Sequence, residues 1–115
     1  MPFTVVEYIR TDASSPFADW FDGLDPQAAA KVAAARARLE LGNISNVKRI
    51  GAISEYRIDW GPGYRIYLAI EAGSLVILFG GGTKRGQRSD IRRAEALFEE
   101  YRRRKVATTG ARRAR

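Results

Sequence analysis

The sequence predicts an α+β domain: an N-terminal strand and a helical hairpin, then an antiparallel β-meander and a C-terminal helix. Three observations predict it. A β-branched and aromatic run opens the chain, apolar residues recur at helical spacing between Ser15 and Gly42 and again from Ser89, and between Ile44 and Phe79 they alternate with period two.

FTVVEYI at 3–9 reads as the first strand. Ser15-Pro16 joins an N-cap to a proline at the first helical position, and Phe17, Trp20, Phe21 and Leu24 follow at i, i+3, i+4 and i+7, the spacing of a short amphipathic helix. Asp25-Pro26 repeats the start signal and Gly42 supplies a stop; between them Val32, Ala35 and Leu39 line one face of an alanine-rich second helix. In ISEYRIDW at 53–60, Tyr56, Ile58 and Trp60 share one face and Glu55, Arg57 and Asp59 the other. In YRIYLAIE at 64–71, Tyr64, Ile66, Leu68 and Ile70 share a face, with Arg65 and Tyr67 opposite.

Gly61-Pro62-Gly63, read as a three-residue loop, pairs Trp60 with Tyr64, Ile58 with Ile66, Asp59 with Arg65 and Arg57 with Tyr67. A two-residue turn at Ala72-Gly73 then pairs Leu68 with Ile77, Ile66 with Phe79 and Arg65 with Gly80. LVILF at 75–79 is apolar on both faces, as in a strand covered on both sides. Ser89 is expected to cap a last helix whose stripe is Ile91, Ala94, Phe98 and Tyr101. A single domain is expected over 1–104, followed by a basic tail at 105–115 whose TTGARRAR has no periodicity and is expected to be disordered.

Cysteine and histidine are both absent, which excludes disulfides, cysteine nucleophiles, imidazole bases and the usual zinc sites. No apolar run approaches the roughly 20 residues a membrane helix needs, and residues 1–9 include Glu7 and read as a strand rather than a leader, so a soluble cytoplasmic protein is expected. The net charge of +7 is a property of the C-terminus: residues 1–101 hold 13 basic and 13 acidic side chains, and the last 14 residues add seven bases and no acid. Within the neutral part, residues 84–93 carry five bases against Asp90 alone.

That cluster lies in FGGGTKRGQRSDI at 79–91. It is neither a Walker loop, since Thr83 separates Gly82 from Lys84, nor a dinucleotide fingerprint, since the sixth position from Gly80 is Arg85. The expected register brings Arg65 beside it, so cations from two segments meet at one end of the sheet.

With this order of elements, the chain resembles the RelE/ParE superfamily of bacterial toxins, and within it the HigB-like, phage-related addiction module killer branch. The likeness is carried by the Phe/Trp-containing first helix, by ISEYRIDWGPGYRIYLAI at 53–70 and by LFGGGTKRGQRSDIRRAEALFEEY at 78–101, and it covers nearly all of 1–104. The resemblance implies a RelE-like fold and the toxin of a type II module. Its activity would be that of a metal-independent, ribosome-dependent mRNA endonuclease without cofactor, with the ribosome, mRNA and a cognate antitoxin of helix-turn-helix type as partners. ParE-like members inhibit DNA gyrase on the same fold, so a non-catalytic gyrase inhibitor is an alternative, as is an inactive antitoxin-binding co-repressor module.

Arg65 matches the family's strand arginine, and Lys84 or Arg85 the basic residue after its last strand. These would hold the scissile phosphate while the ribose 2′-OH attacks it. Arg57, Arg85 and Arg88 are expected to bind flanking RNA backbone, and Asp90 or Tyr67 to assist proton transfer. Where similar toxins carry a tyrosine early in the last helix, this chain reads SDIRR. Two residues also have purely structural readings: Arg65 as a cross-strand partner of Asp59, and Asp90 as an acid stabilising the helix N-terminus.

Overall fold

The computed structural model describes residues 2–113, with side chains as far as Lys105; Met1, Ala114 and Arg115 lie outside the described residues. Strand β1 (Thr4–Glu7) precedes helices α1 (Pro16–Asp22) and α2 (Pro26–Glu40). Four strands follow, β2 (Val47–Ile50), β3 (Ile53–Ile58), β4 (Tyr64–Glu71) and β5 (Leu75–Thr83), and a 3-10 turn at Lys84–Gly86 leads into α3 (Gln87–Arg113). Both early helices start where their caps predict. The Ser15 hydroxyl accepts from the Ala18 amide at 3.0 Å and the Asp25 carboxylate from the Ala28 amide at 2.9 Å, each cap contributing about 1 kcal/mol.

The sheet order is β1-β5-β4-β3-β2. β2 to β5 form the expected antiparallel meander, while β1 joins the far side of β5 in parallel, so the sheet as a whole is mixed. The α1–α2 hairpin carries the chain from one sheet edge to the other. It covers one face, burying Phe17, Val32, Ala35 and Leu39 against Tyr56, Ile66, Leu68 and Leu78. α3 covers the other face, with Ala94 and Leu97 against Ile53, Tyr67, Ile77 and Phe79.

The register departs from expectation in two places. Ile58, not Trp60, pairs with Tyr64, so the connection spans 59–63 and Arg65 faces Arg57, while Tyr67 faces Glu55. A shift of two residues keeps every side chain on its face, so alternation alone cannot separate the two registers. Trp60 still stacks on Tyr64, with ring centroids 6.1 Å apart, but from the loop.

On the next hairpin Glu71 pairs with Leu75, one residue later than expected, because Ala72 (φ 51°) and Gly73 (φ 77°) are followed by a third loop residue, Ser74. A β-bulge then adds Phe79, so Leu68 faces Leu78 but Tyr67 faces Gly80. Together the two slips pair Arg65 with Gly82 rather than Gly80. β5 therefore runs on through all three glycines to Thr83, where the sequence suggested an exit from the strand.

α3 starts at Gln87 rather than at a Ser89 cap; the Ser89 hydroxyl donates instead to the Gly86 carbonyl at 3.2 Å. Its backbone is helical to Arg113. Side-chain ties hold this helix to the sheet: the Tyr8 hydroxyl donates to Glu100 at 2.5 Å, Arg104 donates to the Ile9 carbonyl at 2.6 Å and Lys105 bonds Glu71 at 2.8 Å. Among the described residues no helix is long and apolar enough to cross a membrane.

Candidate functional site

The end of the sheet where β3 meets β4 and β5 meets the 3-10 turn holds most of the residues singled out by sequence. Alternation places Glu55 and Arg57 of β3, and Arg65 and Tyr67 of β4, on the α3 face. The corrected register sets Arg57 directly opposite Arg65. Two like charges in that position repel. A carboxylate offsets them: Glu55 is fully buried and accepts from Arg57 Nε at 2.6 Å and from Gln87 Nε2 at 3.1 Å. Through Gln87 the same carboxylate fastens β3 to the first residue of α3.

Arg65 is 8% exposed, and its buried Nε has no hydrogen-bond partner. With Lys84 and the loop residues Asp59, Trp60 and Gly63 it lines a cleft of about 340 Å³. Lys84 is exposed, and its backbone amide donates to the Gly63 carbonyl at 2.8 Å, which pins the start of the 3-10 turn to the β3–β4 loop. Two cations distant in sequence thus share one open cleft. Arg85 and Arg88 are exposed on the 3-10 turn and first turn of α3, outside the residues lining it. Arg57 is committed to Glu55.

Tyr67 and Asp90 line a different space, a groove of about 400 Å³ between α1 and α3. The structure therefore divides the expected catalytic set into an Arg65–Lys84 pair and a Tyr67–Asp90 pair. The Tyr67 hydroxyl is buried and unpartnered. Its pKa is pushed up to about 12, first by burial and then by the carboxylates of Asp90 and Glu55, with Arg65 acting in the opposite direction. At neutral pH it is a hydrogen-bond donor and not a base. Asp90 is half-buried, pairs with Arg93 at 3.3 Å and stands over the Cα of Gly82, so close that a Cβ at that position would overlap its carboxylate.

The three glycines are thereby explained separately. Gly80 has φ +147° beside the bulge, Gly81 lies under the Trp20 indole, and Gly82 makes room for Asp90. Glu55 and Gln87 are not among the residues that the sequence singles out for the site. The signal for Glu55 was available, since it shares the polar face of its strand with Arg57.

Over 94 residues the chain is 40% identical to an uncharacterized protein of Haemophilus influenzae, an alignment spanning 80% of this chain and 95% of that protein. The two belong to one family. No family model matches the chain.

Proposed function

We propose that this chain is the cytoplasmic toxin of a type II toxin–antitoxin module, RelE-like in fold, that cleaves mRNA on the ribosome without metal or cofactor and is neutralised by a helix-turn-helix antitoxin. The observation that carries this reading is the meeting of Arg65 and Lys84 in one cleft, with a buried guanidinium nitrogen left unpartnered. A buried donor without a partner costs about 1–3 kcal/mol, a cost that a bound anion would remove. The element order also supports it: strand, helical hairpin, antiparallel meander and terminal helix are those of the resembling toxins.

In this reading the 2′-oxygen attacks the adjacent phosphorus, the bond to the 5′-oxygen breaks, and a 2′,3′-cyclic phosphate forms. The 2′-OH proton is lost as the leaving 5′-oxygen gains one. Arg65 and Lys84 neutralise charge on the phosphoryl oxygens, and exposed Arg85 and Arg88 hold neighbouring phosphates. Tyr67 and Asp90 line the separate groove, so positioning and charge neutralisation outweigh side-chain proton transfer. Orientation of the RNA by the ribosome supplies up to roughly 7–11 kcal/mol in favourable systems.

One observation favours the second reading, gyrase inhibition without catalysis. The chain has no histidine, and Tyr67 holds its proton to about pH 12 and lines the other groove, so the cleft offers neither an imidazole nor a phenolate base and its one acid is Asp59 of the β3–β4 loop. Inducing the protein while mapping mRNA 5′ ends and assaying DNA supercoiling separates the two. New 5′ ends inside coding regions with normal supercoiling support the nuclease; growth arrest with intact transcripts and lost supercoiling removes it.

A further inference from the structure

Glu55 has no exposed surface, and a charge so placed is stable only when it is paired and hydrogen-bonded. Both carboxylate oxygens are used: Oε2 accepts from Arg57 Nε at 2.6 Å and Oε1 from Gln87 Nε2 at 3.1 Å. A carboxylate that is covered in this way does not touch a ligand in the cleft. It can decide where a neighbouring cation points.

That cation is Arg57. It lies directly across from Arg65 in the β3–β4 ladder, where paired Cα atoms are about 4.5–5.5 Å apart, a span that an arginine side chain can cross. By register alone Arg57 belongs to the same cleft as Arg65, yet it is not among the residues that line it, whereas Arg65 and Lys84 are. The reason is direction. Glu55 stands two residues before Arg57 on the same face of β3, and the loop that borders the cleft begins after Ile58, on the other side of Arg57. The ion pair therefore draws the guanidinium back along its own strand, away from the cleft. The Arg57 side chain is still 39% exposed, so the ion pair and not close packing holds it there. Gln87, the first residue of α3, anchors the carboxylate from the other side.

We propose that Glu55 is a positioning residue that withholds Arg57 from the phosphate cleft, so that a bound phosphate meets Arg65 and Lys84 and no arginine from β3; phosphate as the occupant rests on the RNA-cleaving reading. The phosphoryl group gains negative charge as the 2′-oxygen attacks, and Arg65 and Lys84 are placed to take it. Arg57, if released, would compete with the free Arg65 Nε for the same oxygens. Contacts made equally to substrate and transition state tighten binding without speeding the reaction.

Inorganic phosphate is the probe, titrated into the full chain at constant ionic strength and followed by heteronuclear NMR. In wild type the Lys84 amide and the Arg65 Nε–H signal should shift while the Arg57 Nε–H signal stays still. Glu55→Gln keeps the shape and removes the charge; it should bind phosphate about fivefold more tightly, with the Arg57 signal now shifting. Adding Arg57→Ala should return the affinity to the wild-type value, and Gln87→Ala, which leaves the ion pair in place, should not tighten binding. A buried acid that only stabilises the fold produces no such gain; amide dispersion reports whether each variant is folded, and the wild-type signals decide the matter even if Glu55→Gln does not fold. An Arg57 signal that shifts in wild type, a Glu55→Gln affinity no higher than wild type, or tightening that survives Arg57→Ala overturns the role. Inorganic phosphate has no ester bond to cleave, so the outcome is independent of catalysis. Tightening in Glu55→Gln without ribosome-dependent cleavage by wild type would keep the positioning role and remove the nuclease, and cleavage without tightening would do the reverse.

Discussion

Gly81→Ala should destabilise the protein, and the structure sets the size of the effect. A Cβ built on Gly81 lies 2.5 Å from Cζ3 of Trp20 and 2.6 Å from the Arg65 carbonyl oxygen. Neither can retreat freely, since the indole packs against Phe17 and the carbonyl belongs to a strand paired on both sides. Such overpacking costs about 1–3 kcal/mol. For a chain of this size each kcal/mol lowers the melting temperature by roughly 4 °C, so a fall of about 4–12 °C is expected. Calorimetry or urea unfolding measures it. Combined with Trp20→Ala, the substitution should cost less than the sum of the two singles, because one of its two clashes is gone; the Arg65 carbonyl keeps the rescue partial. A Gly81→Ala protein within about 0.5 kcal/mol of wild type, or a strictly additive pair, would refute the claim that Trp20 closes over bare backbone.

Arg57→Ala removes the charged donor 2.6 Å from a carboxylate with no exposed surface, and should cost about 1.5–3 kcal/mol in urea unfolding, part of it recovered by adding Glu55→Gln. Acid should weaken the fold. The Ser15 hydroxyl and then Arg36 hold the Glu7 carboxyl below its ordinary 4.5, and the Tyr8 hydroxyl lowers Glu100. A lowered folded pKa means the stabilisation is complete above 4.5 and is lost as pH falls through the folded value; Glu7→Gln should flatten that decline in a melting series. Alkali weakens the fold as well, from the other end of the pH range. With the Tyr67 phenol raised from 10 to about 12, its contribution is complete below pH 10 and is lost toward 12, and Tyr67→Phe should remove a late phase from the phenolate absorbance titration.

How far the fold could be read from the chain depended on what kind of information each element carries. Helix starts were legible because Ser15-Pro16 and Asp25-Pro26 act locally, and strand faces because alternation fixes which side a residue faces. Register was not. Moving Tyr64 from Trp60 to Ile58 leaves every residue on its own face, and the extra residue at Phe79 is set by packing around a bulge rather than by a turn signal. The consequence was local but important for the site: Arg65 exchanged Asp59 for Arg57 as its neighbour, and Glu55 became the group that makes two facing arginines tolerable. The separation of Arg65 and Lys84 from Tyr67 and Asp90 was likewise invisible, since it depends on where α1 and α3 stop over β5. The glycine run is the clearest case. As sequence it matches neither phosphate motif, and in the fold Gly81 and Gly82 are places where Trp20 and Asp90 come too close for any side chain.

The central claim is that Arg65 and Lys84 together hold a phosphate of ribosome-bound mRNA. Its most direct test is the single-turnover rate at which purified protein cuts mRNA on programmed ribosomes, compared with Arg65→Ala, Lys84→Ala and the double variant. The account predicts cleavage by wild type and a loss of roughly 10²–10³-fold for each single change, with melting curves close to wild type. Cleavage by the double variant at the wild-type rate would contradict it.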